Sequence, residues 1–230
     1  LLADAITIPH FDRTNGRAMK SEFAERKSFD TVSGGPLAGV RVLSLAEQFP
    51  GPYATMLLAD LGADVILVER PGQGDPSRFD GPFFRSLARN KRSVALDLKS
   101  ADGRSMFDRL IATADVLVEG FRPGVMDKLG IGYESLQKQF PRLIYISISG
   151  FGQDGPYRDR LGHDLSFQAV SGILFGQVGQ LPPPPDVPFA DLASAMFAAF
   201  SITTALFNRE RTGAGTFVDV AMGDCLVSWM

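Results

Sequence analysis

Five short, almost unbroken apolar runs, each separated from the next by a loop or a stretch of helical spacing, constrain this chain more than any other feature. They are residues 40–45 (VRVLSL), Asp64–Glu69 (DVILVE), 93–98 (SVALDL), 115–119 (DVLVE) and 143–149 (LIYISIS). A strand must be apolar nearly throughout when both of its faces are covered, which is the condition inside a parallel sheet. Between the runs, residues 53–61 closed by Gly62, a stretch capped by Ser100, and Tyr133–Gln139 carry helical periodicity. Strand, helix and strand repeated in this way make a parallel sheet with right-handed crossovers. The expected fold class is therefore α/β, a Rossmann-like doubly wound parallel sheet.

The character changes after Gly150. Residues 150–162 read as a long loop rich in Gly, Arg and Asp, and residues 164–174 as a helix. Residues 181–188, with four consecutive prolines, cannot be regular structure. An Ala-rich helix is expected over 191–208, a polar turn over 209–215, a strand over Phe217–Ala221 and a helix start at Asp224. Residues 1–35 have weak periodicity and read as a poorly ordered leader, 36–221 as the large domain, and 222–230 as a linker helix opening a second, smaller domain. The chain starts at Leu1 and stops inside an apolar run at Trp229-Met230, so it reads as a fragment of a longer chain.

Composition narrows the partners. A net charge of −3 argues against nucleic acid or an anionic membrane surface. The single cysteine, Cys225, excludes an internal disulfide and suits a reducing cytoplasm; it reads as a buried small hydrophobe. No apolar run is expected to approach the ~20 residues that span a bilayer. The expectation is a cytoplasmic protein.

The first strand–turn–helix lacks the G-x-G-x-x-G that lets backbone approach a pyrophosphate, having Glu47-Gln48-Phe49-Pro50-Gly51-Pro52 instead, so NAD is not expected. No His/Cys spacing suggests a metal. Cations do follow or precede strands: Arg70, Arg92, Arg122 and Lys128. In an open parallel sheet the ligand crevice lies at the carboxyl ends of the strands, where such cations can bind phosphates; each alone reads equally as a solvated surface residue. Asp191, ahead of LASAMFAAF, reads as a helix N-cap, and a carboxylate so placed stays ionised and nucleophilic. Asp164 reads as the N-cap of its own helix, and His163 as a turn residue or an acid/base group.

Residues 37–43 (LAGVRVL), Pro50-Gly51-Pro52, 58–66 (LADLGADVI) and 68–72 (VERPG) together resemble the opening of the family III CoA-transferases, a family that includes α-methylacyl-CoA racemases. The resemblance runs through 74–78 (GDPSR), 90–99 (NKRSVALDLK), 121–126 (FRPGVM), 150–156 (GFGQDGP), Gly162-His163-Asp164 and 211–215 (RTGAG), covering about residues 36–230. It implies a coenzyme A thioester as substrate, CoA contacts at Arg70, Arg92, Phe121 and Lys128, and an interlocked homodimer. It also implies that Asp191 attacks the acyl-CoA thioester and carries CoA as an aspartyl-CoA thioester to an acceptor acid. In the racemases, the His matching His163 works with the Asp matching Asp191 to exchange a proton on the acyl α-carbon. Phe49 departs from the Gln of several transferases and is nearer the racemases, while residues 74–91 are nearer the transferases. Three readings follow: CoA transfer, racemisation, and an inactive fragment that binds only CoA or a partner.

Overall fold

In the computed structural model, residues 34–174, 180, 183 and 185–230 are described. The expected leader lies outside them except for its last two residues, as does much of the proline run. Six strands form one parallel sheet: β1 (Arg41–Ser44), β2 (Asp64–Glu69), β3 (Lys91–Ala95), β4 (Val116–Glu119), β5 (Ile144–Ser149) and β6 (Phe217–Ala221). Their order is β3-β2-β1-β4-β5-β6. Each strand away from the edge is buried at nearly every position, as the continuous apolar runs require. The Rossmann-like expectation holds, with the order reversing between β1 and β4.

Alternate residues of each strand feed two cores. On one face Val42, Val65, Val116 and Ile146 pack against α1 (Pro50–Asp60) and the long α7 (Phe189–Thr212). On the other, Leu43, Ile66, Leu117 and Tyr145 pack against α3 (Ala101–Ile111) and α5 (Tyr133–Gln139), with Phe107 and Leu136 as plugs. Fully buried Ala190, Ala193, Ala195 and Ala198 let α7 lie close on the sheet, and Ile202 fills the layer between them. Truncating Ile202 to Ala would cost about 2–5 kcal/mol. By length and mean hydropathy, 1.5, α7 is apolar enough to cross a membrane, contrary to the sequence expectation, but half of it is buried in this core. Cys225 of α8 (Met222–Val227) is buried as expected, and burial pushes its thiol up to about 12.

Several boundaries differ from the sequence reading. The Gly/Pro-rich segment after β2 holds a 3-10 turn at Pro76–Phe79 and a helix, α2 (Gly81–Ala88), capped by the carboxylates of Asp75 and Asp80. Strand β3 starts at Lys91, two residues before the expected strand. Two helices complete the list, α4 (Val125–Lys128) and α6 (Asp164–Ser171). α7 continues through the expected polar turn because the Arg209 side chain, only 8 % exposed, pairs with Asp115 at 2.9 Å, and Gly213 (φ 75°) ends it. Its N-cap is Pro188, so Asp191 is the third helical residue rather than the cap.

Candidate functional site

The chain leaving β1 and the chain leaving β4 diverge, and a cavity of about 920 Å³ opens between them at the carboxyl ends of the strands. This is the switch point of a doubly wound sheet, where such folds bind ligands. Its floor is residues 45–48 after β1, Gly120–Pro123 after β4, and Ile148–Gly150 at the end of β5. Gly51 is required here: a Cβ on it would stand 2.1 Å from the Cβ of Ala46, so only glycine lets α1 start so close to β1.

Four cations line the cavity: Arg122, Lys128, Arg158 and Arg160. Gly124, at φ 80°, turns the chain from β4 into α4, which carries Lys128. Arg158 is fixed by donating to the Gln153 carbonyl at 2.8 Å, and the Arg160 guanidinium lies 4.1 Å from the centre of the Tyr157 ring. Among the described residues, Arg122, Lys128 and Arg160 make no salt bridge. Cations left without a carboxylate at a concave site are suited to hold a polyanion.

Asp191 and His163 line the same cavity. The cap of α7 comes from elsewhere in the chain: the Asp164 carboxylate accepts from the N–H groups of Ala190 (2.7 Å) and Asp191 (3.1 Å), and also from the Gln168 amide. Asp164 is thus the first residue of α6, with His163 at its cap, and its carboxylate caps α7 instead of α6. The Asp191 carboxylate itself accepts no hydrogen bond among the described residues. Burial, reinforced by the charge of Asp164, pushes its carboxyl up to about 6. It is a half-buried carboxylate without partners, ionised at neutral pH and more basic than an ordinary aspartate.

The remaining expected residues divide. Phe121 and Lys128 line the cavity. Arg70 is exposed and forks onto Glu47, a lining residue, at 2.7–3.1 Å, which places it beside the rim. Arg92 is not brought there. It is level with Ile66, early in β3, and pairs with Asp64 at 2.6 Å at the amino end of the sheet. The expected gathering of Arg70 and Arg92 at the carboxyl ends therefore does not occur, because a residue that precedes or opens a parallel strand stands at the amino end of the sheet. Sequence reasoning gave no role to Arg158 and Arg160; the signal was the pair of arginines in Tyr157-Arg158-Asp159-Arg160, in the loop that follows the β5 run. It also passed over Gln48, which holds a left-handed φ of 69° while its N–H faces the Asp75 carboxylate at 3.2 Å.

Known proteins agree with this geometry. Residues 37–230 match the family model described as CoA-transferase family III. A succinyl-CoA:glutarate CoA-transferase of Mus musculus is 43% identical over 204 residues, covering 84% of this chain and 47% of that protein. An alpha-methylacyl-CoA racemase of Homo sapiens is 45% identical over 189 residues, 81% of this chain and 48% of that protein. The crystal structure of a CAIB/BAIF family protein from Brucella suis superposes with a TM-score of 0.80 at 40% identity, covering 84% of this chain and 55% of the other. The chain spans about half the length of the curated relatives it matches. With the sheet order, the switch-point cavity and the family match in agreement, this chain belongs to CoA-transferase family III.

Proposed function

We propose that the chain is the CoA-binding and acyl-accepting part of an acyl-CoA:carboxylate CoA-transferase. The observation that carries this reading is the convergence of a partnerless carboxylate, Asp191, and four cations on one cavity. The cations suit the phosphates of CoA, and the Phe121 ring gives an apolar wall for its less polar parts. Binding energy gathered there holds the thioester carbonyl against Asp191.

One Asp191 oxygen attacks the thioester carbon, the C–S bond breaks, and CoA leaves as thiolate, giving an acyl-aspartyl anhydride. The thiolate then attacks the Asp191 carboxyl carbon and releases the first acid as its carboxylate, leaving an aspartyl-CoA thioester. The acceptor carboxylate repeats the two steps in reverse order, and Asp191 is regenerated. No net proton is consumed, which suits a nucleophile that works ionised. Relatives named as CoA-transferases support this reading.

A second reading has its own support. His163 and Asp191 share the cavity, and some relatives are named as racemases, so the two side chains exchanging an α-proton of the acyl group is the alternative. Incubating the protein with an acyl-CoA and hydroxylamine separates the two. A hydroxamate at Asp191, found by peptide mass spectrometry, supports transfer. Uptake of deuterium from solvent at the α-carbon without trapping supports racemisation and rules transfer out. CoA binding with neither reaction supports the third reading, a binding fragment. We further propose a cytoplasmic protein that pairs with a second copy of itself; the exposed Phe200, Phe207 and Trp229 supply apolar surface for that contact.

A further inference from the structure

Glu119, the last residue of β4, is 3 % exposed and has no cationic partner among the described residues. It begins a row that crosses the sheet at its carboxyl end: Glu119 is level with Ser147 of β5, and Ser147 with Asp219 of β6. The Glu119 carboxylate accepts from the Phe121 N–H at 2.8 Å, and the Ser147 hydroxyl, level with it on β5, faces it as a second donor. The Ser147 Oγ accepts from the Gln153 amide at 2.8 Å, the Gln153 N–H donates to Asp219 at 2.7 Å, and the Gln153 carbonyl receives Arg158 at 2.8 Å. One buried acid thus fastens both sides of the cavity, the Phe121–Arg122 turn directly and Arg158 through Ser147 and Gln153.

We infer that Glu119 is a positioning residue for CoA-thioester binding, and that its ionisation tightens both cation-bearing walls of the crevice together. The inference rests on the CoA-site reading above and adds control of that site by pH. Both groups that face the carboxylate are donors, so the ionised form draws each of them into a charge-assisted hydrogen bond. The protonated form must turn one oxygen into a donor and release Ser147 from that role. Burial, with repulsion from Asp219 on β6 and Asp127 on α4, pushes the Glu119 carboxyl up to about 7, against the hydrogen bonds from Ser147 and Phe121. The Tyr145 phenol on β5, raised by burial and by the charge of Glu119, stays protonated across the same range. The switch therefore falls where a cell can use it.

The test is the dissociation constant of CoA for the full chain, measured by titration calorimetry from pH 6 to pH 8, for the wild type and Glu119→Gln. The amide keeps an acceptor for Phe121 and presents a donor to Ser147, as the protonated acid does. Wild-type affinity should rise with pH, and the ratio of variant to wild-type constants should grow from about 1 at pH 6 to about 10 at pH 8. The phosphomonoester of CoA titrates near 6 in both proteins and cancels in the ratio. A purely structural role would weaken binding by the same factor at every pH, so a flat ratio overturns the inference. If Glu119→Gln does not fold, Ser147→Ala carries the test: it removes a hydrogen bond to the ionised form and should move the wild-type midpoint to higher pH, and an unmoved midpoint overturns the inference. Absence of CoA binding by the wild type at any pH would instead defeat the CoA-site reading, and this inference with it.

Discussion

The two ends of the sheet use the same charged residues for opposite purposes. At the amino end, Asp64 takes Arg41 at 2.8 Å and Arg92 at 2.6 Å, and Asp115 takes Arg209 at 2.9 Å and the Arg41 N–H at 2.7 Å. Burial alone would raise the Asp64 carboxyl, but hydrogen bonds from Arg92 and Arg41 outweigh it and hold the group below the usual carboxylate range. At the carboxyl end Glu69 still takes Arg78 and Glu47 takes Arg70, but around the cavity Asp191 and Glu119 are pushed up, and Arg122, Lys128 and Arg160 have no carboxylate among the described residues. Charge satisfied within the fold contributes stability and nothing else. Charge left unsatisfied at a concave site waits for a ligand, and its weaker internal support is the local cost of function.

The sharpest way to break this division is Asp191→Asn. The amide keeps the shape and removes the proposed nucleophile, so kcat should fall roughly 10⁴-fold or more while CoA still binds. The melting temperature should not fall, because the substitution also removes the repulsion between Asp191 and Asp164. In the wild type, kcat should decline about tenfold per pH unit below about 6 as Asp191 takes up its proton. The stability sign follows from the same group. Its folded value, about 6, lies above the ordinary 3.8, so it favours folding most below 3.8 and loses that contribution as pH rises through 6. Turnover by Asp191→Asn near the wild-type rate would end the comparison.

Arg209→Ala tests the other end. It leaves the Asp115 carboxylate with the Arg41 N–H alone and empties a site next to the carbonyls of Asp115 and Arg142, so unfolding in urea should show a loss of about 3 kcal/mol. Affinity for CoA should change by less than about twofold once the protein is folded. A large loss of affinity without a loss of stability would show that the ends are not separate.

Elements whose burial is continuous along the chain were legible in the sequence: β2 and β6 have the expected bounds, because an apolar run on a parallel sheet has no other stable place. What was not legible depends on partners far away. Asp191 looked like a cap because the true capping carboxylate, Asp164, arrives from another helix. Arg209 looked like a turn residue because its partner Asp115 lies across the sheet. Helix α2 was missed because it opens on Gly81-Pro82 and buries only Leu87, too little for a periodic signal. Of the residues expected at the site, His163, Phe121, Lys128 and Asp191 line the candidate cavity and were legible through motif position, whereas Arg92, at the start of a parallel strand, stands at the opposite end of the sheet.

A finer division comes from Lys128→Ala. The side chain has no salt-bridge partner to lose among the described residues, so stability should stay within about 0.5 kcal/mol. One charge-assisted contact to a phosphate is worth about 1.4 kcal/mol, so the dissociation constant of CoA should rise about tenfold, and by less at high salt.

Arg92→Ala should do least, and for that reason it discriminates most. Its pair with Asp64 is exposed, 51 % on the Arg92 side, and Asp64 keeps Arg41 when Arg92 is gone. An exposed pair with a surviving second partner is worth at most about 1 kcal/mol, so both the melting curve and CoA binding should stay close to the wild type. Side by side, Lys128→Ala and Arg92→Ala remove the same unit of positive charge from opposite ends of one sheet. A change in net charge alone would weaken CoA binding equally in both. A tenfold loss in Lys128→Ala with less than a twofold loss in Arg92→Ala requires a local site at the switch point, and a tenfold loss in Arg92→Ala would bring the amino end into that site.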